Sequence, residues 1–263
     1  MRTILDEIVD NRRFEVAGAK AVLSLAELKS KTDFSVVRNS LAARLTAPGN
    51  NGIIAEFKRR SPSKGVINDR VFPEIVTKGY ADAGVCGISV LTEFRYFGGA
   101  NADFIVARTA NPLTPLLRKD FIVDEYQLYE SRMLNADVIL LIAAVLEKEE
   151  ISGFTAIAHE LGMEVLLELH DESEIEKIDL KVDLIGINNR NLKDFRVDMD
   201  RSLNLLDQLP AKSVKISESG LSDPDTVDFL RDRGFLGFLM GENFMKTEDP
   251  AKACFDFISR LRY

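Results

Sequence analysis

Charged side chains at the ends of apolar runs are the first feature of this chain that could do chemistry. In IIAEFK, Glu56 and Lys58 flank Phe57, and a spacing of two puts both on one face of a strand. Lys119 ends the third such run, Glu168 sits inside VLLELH, Asn188 and Arg190 again share a face, and Glu218 closes VKISES. An ammonium can stabilise or protonate an oxygen that gains negative charge, and a carboxylate can accept or return a proton. Taken singly, each of these charges is better read as a structural ion pair, the usual state of a buried charge. Their recurrence at strand ends, with both signs present, favours a binding site.

Other chemistries have less support. The chain has 2 histidines, His159 inside the helical pattern FTAIAHELG and His170 at a loop entrance after a strand-like run, so neither a zinc site nor a mobile His-Asp pair is expected. Proton transfer would fall to Lys, Glu and Asp. Cys86 and Cys254 are far apart and stand in no metal-ligand or redox spacing, which reads as two reduced thiols. A net charge of -8 disfavours an extended nucleic-acid or anionic-membrane surface, so a bound phosphate should be a single group in a local pocket. The N-terminal segment MRTILDEIVDNRR lacks the unbroken apolar core of a secretory signal. Val138 to Leu146 is far shorter than the roughly 20 residues that span a bilayer. A cytoplasmic location is expected.

The elements that must position these residues are eight short apolar runs alternating with amphipathic stretches. The runs are Ile53 to Phe57, Gly87 to Leu91, Thr114 to Leu117, Asp137 to Ala143, Glu164 to Leu169, Asp183 to Ile187, Ser213 to Ser217 and Gly234 to Met240. Several are nearly continuous in apolar residues, as parallel strands covered on both faces must be. The rhythm is that of repeated βα units, and eight of them favour a closed (β/α)₈ barrel, an α/β fold, over an open doubly wound sheet. Helical stretches between them end at Gly84, Gly162 and Gly234, and Asp223 before Pro224 reads as an N-cap. Residues 1–48 do not follow the rhythm; ILDEIVDNRRFEVAGAK and SVVRNSLAARL predict a helical extension packed on the barrel, the whole of 1–263 forming one domain.

The last two βα turns suggest a phosphate site. Ser219 and Gly220 follow strand seven, and Gly241 and Glu242 follow strand eight, where backbone N–H groups can approach an anion closely. Either turn alone is weak evidence, because glycine ends many strands merely to turn the chain. Glu242 would have to point its charge away from the anion.

The segment IIAEFKRRSPSKG resembles the signature of the indole-3-glycerol-phosphate synthase family, a buried strand carrying E-x-K followed by a polar S-P-S loop. The similarity continues through LTEFRYFGG, LLRKDFIVDEYQ, ADVILLIAAVL, EVLLELHDESE, IGINNRNLKDFRVD, ISESGL and FLMGENFM, in the family's order across the barrel, and takes in the helical N-terminal extension. The segment HDESEIEKIDLKVDLIGI is about a residue shorter than usual, which implies a trimmed fifth helix. Phe34 and the VVRNSL that follows also depart from the common form of the extension.

What the resemblance implies is cofactor-free and metal-free conversion of 1-(2-carboxyphenylamino)-1-deoxyribulose 5-phosphate to indole-3-glycerol phosphate, carbon dioxide and water. The ring carbon bearing the carboxylate attacks the ketone, decarboxylation restores the aromatic ring, and dehydration completes the pyrrole. By this resemblance Lys119 corresponds to the general acid and Glu168 to the second acid-base group. Lys58 and Arg190 would hold the substrate carboxylate, although Arg190 could instead brace Glu56 or Glu218. Glu56 would orient the cations, and Asn188 and Glu218 would bond sugar hydroxyls and catalytic groups. Ser61, Ser219, Gly220, Gly241 and Glu242 correspond to the phosphate site. Phe97, Phe121, Leu140, Leu192 and Phe195 correspond to the apolar walls around the anthranilate ring, with ordinary core packing as the alternative. The expected partner is a small sugar phosphate, without nucleic acid or membrane, for a monomer or weak homodimer. Another phosphate-binding barrel, such as a phosphoribosyl isomerase or a relative of thiamine-phosphate synthase, would share the terminal turns without requiring the E-x-K pair, Lys119 and Glu168. A noncatalytic barrel could dispense with the acid and base.

Overall fold

The apolar runs become the parallel strands β1 (Ile53–Phe57), β2 (Gly87–Leu91), β3 (Leu116–Lys119), β4 (Val138–Ile142), β5 (Glu164–Leu169), β6 (Leu184–Asn188), β7 (Val214–Glu218) and β8 (Gly237–Met240). Each pairs with the next and β8 returns to β1, so the sheet closes. The computed structural model describes residues 2–32, 38–191 and 196–263; Phe34, Leu192 and Phe195 lie outside the described residues.

Alternation along the strands builds two apolar layers. Ile54, Leu117, Leu140, Leu166, Leu184, Ile216 and Leu239 fill the barrel. Ile53, Val90, Ile139, Leu141, Val165, Leu167, Ile185 and Phe238 pack outward beneath the helices. Full burial of such side chains is worth roughly 1.5–3 kcal/mol each. Two residues beyond the last inward apolar position, the same face carries Glu56, Lys119, Glu168 and Glu218, with Asn188 beside them. The charges therefore sit at the C-terminal mouth because the register that fills the barrel continues one step past its apolar floor. In-register pairing brings Glu56 level with Ser89, Leu91 with Lys119, Ile142 with Glu168 and Asn188 with Glu218.

The helices that follow the first seven strands in turn are α4 (Pro73–Asp82), α5 (Asn101–Ala110), α6 (Glu125–Met133), α7 (Lys148–Glu160), a 3₁₀ turn (Glu172–Lys177), α8 (Asp200–Leu206) and α9 (Pro224–Asp232). After β8 come α10 (Glu242–Met245) and α11 (Pro250–Ile258). Gly84, Gly162 and Gly234 all take positive φ just past their helices, and Asp223 accepts a hydrogen bond from the N–H of Asp225 ahead of Pro224 at the first turn. The shortened fifth connection is the 3₁₀ turn. β3 begins two residues later than its sequence run, since Pro115 has no N–H to give the sheet, and it also ends two residues later, at Lys119.

Ahead of the barrel lie α1 (Ile4–Val22), α2 (Leu25–Lys31) and α3 (Leu41–Thr46). α2 was not expected from the sequence, yet Ser24 and Glu27 form a capping box at its start. The second expected helix also needs correcting: it begins at Leu41, because Ser40 caps it by accepting from the N–H of Ala43. α3 closes the bottom of the barrel, with Leu41 and Leu45 joining the interior cluster. Glu164 at the foot of β5 accepts from the N–H groups of Leu41 at 2.9 Å and Ala42 at 3.0 Å, an anion at a helix start. α1 is fastened nearer the mouth: Arg12 reaches Asp120 at 2.7 Å and Lys20 reaches Asp124 at 2.6 Å.

Candidate active site

Lys119 is the centre of the mouth. Its Nζ lies 2.6 Å from Glu168 Oε2 and 2.6 Å from Glu218 Oε2, so strands β3, β5 and β7 meet at one ammonium. Burial alone would lower its pKa, but Glu168, Glu218 and Glu56 together raise it well above the usual lysine value and keep it charged. Across the mouth Lys58 Nζ stands 2.6 Å from Glu56 Oε1, and Ser89 donates to Glu56 Oε2 at 3.3 Å.

The two carboxylates on Lys119 are not equivalent. Burial opposes ionisation of Glu168, but Lys119 and then His170 outweigh it and hold the group well below the ordinary carboxylate range. Asn188 Nδ2 also donates to Glu168 Oε1 at 3.3 Å. For Glu218 burial wins: together with the negative charge of Glu168 it overrides the pull of Lys119 and lifts the carboxyl to about 8. Its Oε1 has no hydrogen-bond partner among the described residues, which gives a proton a place to reside. The sign for stability follows: Glu218 keeps its proton in the fold while the unfolded chain loses it near 4.5, so this group costs stability progressively from that pH up to about 8.

Room for Glu218 is made by a neighbour that sequence reasoning missed. A Cβ on Gly186 would lie 2.2 Å from Glu218 Oε1 and 3.2 Å from Leu166 Cδ1. We therefore expect Gly186→Ala to push the carboxyl off Lys119 and lower kcat by roughly tenfold to a hundredfold, a misplacement effect, with Tm nearly retained. Wild-type kinetics in that variant would show that the close approach has no consequence.

Two adjoining cavities open at the mouth. The first has an apolar end lined by Ile4, Leu5 and Ile8 of α1 together with Phe97, Phe121 and Leu140, and a polar end with Lys119, Glu168, Glu218 and Arg190. The second continues over Ser219, Gly220, Gly241, Glu242 and Asn243. Glu56, Lys58, Ser63, Arg190, Ser219 and Glu242 border both. Every candidate named from the sequence that falls among the described residues lines one or both, Ser61 and Asn188 included. Leu192 and Phe195 lie outside the described residues.

The loops are built to hold these walls. Glu93 accepts from the N–H groups of Arg95, Tyr96 and Phe97 at 2.9, 2.7 and 2.9 Å, which folds LTEFRYFGG back and carries Phe97 to 5.9 Å from the Phe121 ring centre. Leu140 serves twice, as barrel filling and as cavity floor. Ser219 and Gly220 both take positive φ, a conformation rare for serine. Asn189 fixes this turn by donating to the carbonyls of Glu218 at 3.0 Å and Ser219 at 3.2 Å. A side chain at Gly220 would meet Val197 at 2.3 Å. The carboxylate of Glu242 is drawn aside by Arg190 at 3.3 Å and Lys64 at 3.6 Å, so among the described residues Arg190 braces Glu242. Pro62, Ser63 and Lys64 belong to the S-P-S loop, although only Ser61 of that loop is expected in the site; the α1 residues have nothing in their local pattern to mark them, because only the folded extension brings them to the mouth.

Comparison with known proteins agrees with this arrangement. A family model described as indole-3-glycerol phosphate synthase matches residues 5–257. A protein of that name from Bacteroides thetaiotaomicron is 47% identical with all of both chains covered. Its namesake from Laribacter hongkongensis is 44% identical over 96% of this chain and 98% of its own. Among solved structures, 3-hexulose-6-phosphate synthase from Salmonella typhimurium superposes with a TM-score of 0.63 at 15% identity, covering 80% of this chain and 100% of that one. The tryptophan synthase alpha chain from Legionella pneumophila gives 0.60 at 12%, covering 83% and 93%. At such identities these two speak for the barrel fold alone. With nearly its whole length matched by the family model and by relatives well above 40% identity, the chain belongs to the indole-3-glycerol phosphate synthase family.

Proposed function

We propose that the indole-3-glycerol phosphate synthase reaction of this chain, ring closure, decarboxylation and dehydration of 1-(2-carboxyphenylamino)-1-deoxyribulose 5-phosphate, runs on Lys119 and Glu168 as its acid-base pair. The observation that carries this assignment is the ammonium 2.6 Å from each of two carboxylates, in a cavity lined by apolar as well as charged side chains. An anthranilate ring fits between Phe97, Phe121 and Leu140, and the sugar phosphate extends toward Ser219, Gly220 and Gly241. Ser61 and the backbone of Glu242 complete the phosphate contacts.

Attack on the ketone leaves an alkoxide, which is far more basic than an amine. The charged Lys119 first stabilises and then protonates it. Glu168, held ionised, then takes the proton whose loss completes the pyrrole and delivers it to that hydroxyl, which departs as water. Lys58 and Arg190 hold the carboxylate until it leaves as carbon dioxide, and contacts that loosen as it loses its charge speed the step. Glu56 orients Lys58; Asn188 and Glu218 orient Glu168 and Lys119.

In this reading the chain works as one barrel domain with residues 1–48 as its extension. Its partner is a soluble sugar phosphate rather than nucleic acid or membrane; no helix among the described residues is long and apolar enough to cross one. We place it in the cytoplasm as a monomer or weak homodimer.

The test supplies the carboxyphenylamino sugar phosphate to purified protein in the presence of a metal chelator. Indole absorbance should appear with one equivalent of carbon dioxide. Folded protein that produces neither would overturn the assignment.

A further inference from the structure

One buried polar side chain in the mouth has no part in the chemistry above. His170 follows β5 directly, has 6% of its surface exposed, and lines the first cavity. Its Nε2 stands 3.0 Å from Glu168 Oε1, too obliquely for a hydrogen bond, so neither ring nitrogen has a hydrogen-bond partner among the described residues. Buried imidazoles kept for packing usually satisfy both nitrogens. The backbone of this one is fixed, since its N–H donates to the buried Glu174 at 2.7 Å.

We infer that His170 is a positioning residue for Glu168, holding Oε1 of its carboxylate while Lys119 holds Oε2, so that the group faces the substrate in one orientation. This rests on the acid-base role proposed for Glu168. Without His170 the carboxylate would pivot about its single strong contact to Lys119, because the hydrogen bond that Oε1 accepts from Asn188 is long at 3.3 Å. A ring that donates through Nε2 leaves Nδ1 an acceptor at the cavity wall, and a small rotation would straighten the contact with Glu168. His170 also helps hold Glu168 ionised, next after Lys119. The charged groups around Glu168 are otherwise Lys119 on β3, Glu218 on β7, and Glu56 and Lys58 on β1, while Glu174 faces the His170 backbone.

The experiment is a double-mutant cycle on the full chain, following kcat and KM against pH for His170→Ala, His170→Gln, Glu168→Gln and the double variant His170→Ala with Glu168→Gln. Expected for His170→Ala is a kcat lowered about tenfold with KM within about twofold, the signature of a contact that matters in the transition state. The acid limb of its kcat profile should move up by about one pH unit, as the carboxylate loses a donor. His170→Gln, which retains a donor, should recover most of the rate. In the Glu168→Gln background the loss of His170 should cost nothing further.

A packing role would instead lower Tm, leave the acid limb in place and reduce activity equally in both backgrounds; that result overturns the inference. Should His170→Ala fail to fold, the comparison of His170→Gln with the parent decides, since an unmoved acid limb together with a full-size loss of kcat contradicts the role. If Glu168→Gln itself turns over normally, the reading of Glu168 fails, and that outcome is separate from a failure of His170.

Discussion

Lys119→Ala should lower kcat by at least about a thousandfold while leaving substrate affinity within roughly tenfold, measured by turnover and by direct binding of the substrate. The ammonium faces its demand when the ketone oxygen becomes an alkoxide, and among the described residues no other lysine or arginine pairs with Glu168 and Glu218 to take over. Ground-state binding rests elsewhere, on the aromatic wall and the terminal turns. Loss of the cation also leaves two buried carboxylates side by side. They answer by sharing a proton, as Glu218 already carries one up to about pH 8, so the variant folds and its defect is chemical. Full activity in folded protein would remove Lys119 from the mechanism.

Why Lys119 could be singled out in the sequence, and other residues could not, has a physical reason. A strand in a closed parallel barrel must be apolar on both faces, so a charge that interrupts or ends such a run is visible against its background. That contrast marks Glu56, Lys119, Glu168 and Glu218, and the closed sheet brings them together. The boundaries of the strands are legible to within three residues: β3 starts two later than its run, where Pro115 delays pairing, and β8 starts three later, at Gly237.

Gly186 gave no such signal. Its importance lies in the space it leaves for Glu218 on the next strand, and that becomes apparent only from the register pairing Gly186 with Ile216. The want of a third imidazole argues against zinc but says nothing about a histidine standing beside a carboxylate, as His170 does. The helical pattern of the extension is legible, but α2 is marked only by the capping box of Ser24 and Glu27, and α3 starts at Leu41, later than its pattern predicts. The extension's local pattern cannot reveal that Ile4, Leu5 and Ile8 turn toward the mouth while Leu41 and Leu45 close the opposite end.

The asymmetry between the two carboxylates on Lys119 leads to a different outcome for Glu168→Gln. Glutamine keeps the volume and can still accept from Lys119, so ring closure and decarboxylation proceed. The negative charge of Glu168 is one cause of the raised pKa of Glu218. Its removal lets Glu218 ionise at lower pH and form the ion pair with Lys119 alone, so the charge around the ammonium, and with it the fold, is preserved. What is lost is the group that helps the hydroxyl leave and takes the last proton. General acid-base assistance is worth about 10²–10⁴-fold, and kcat for indole should fall by that much. A single-turnover experiment then separates the steps: carbon dioxide should be released in a first phase of about one equivalent, with indole absorbance following slowly. In Lys119→Ala both signals should be suppressed together. If Glu168→Gln instead delays carbon dioxide and indole by the same factor, Glu168 acts at or before ring closure, and the division of labour between the ammonium and the carboxylate must be redrawn.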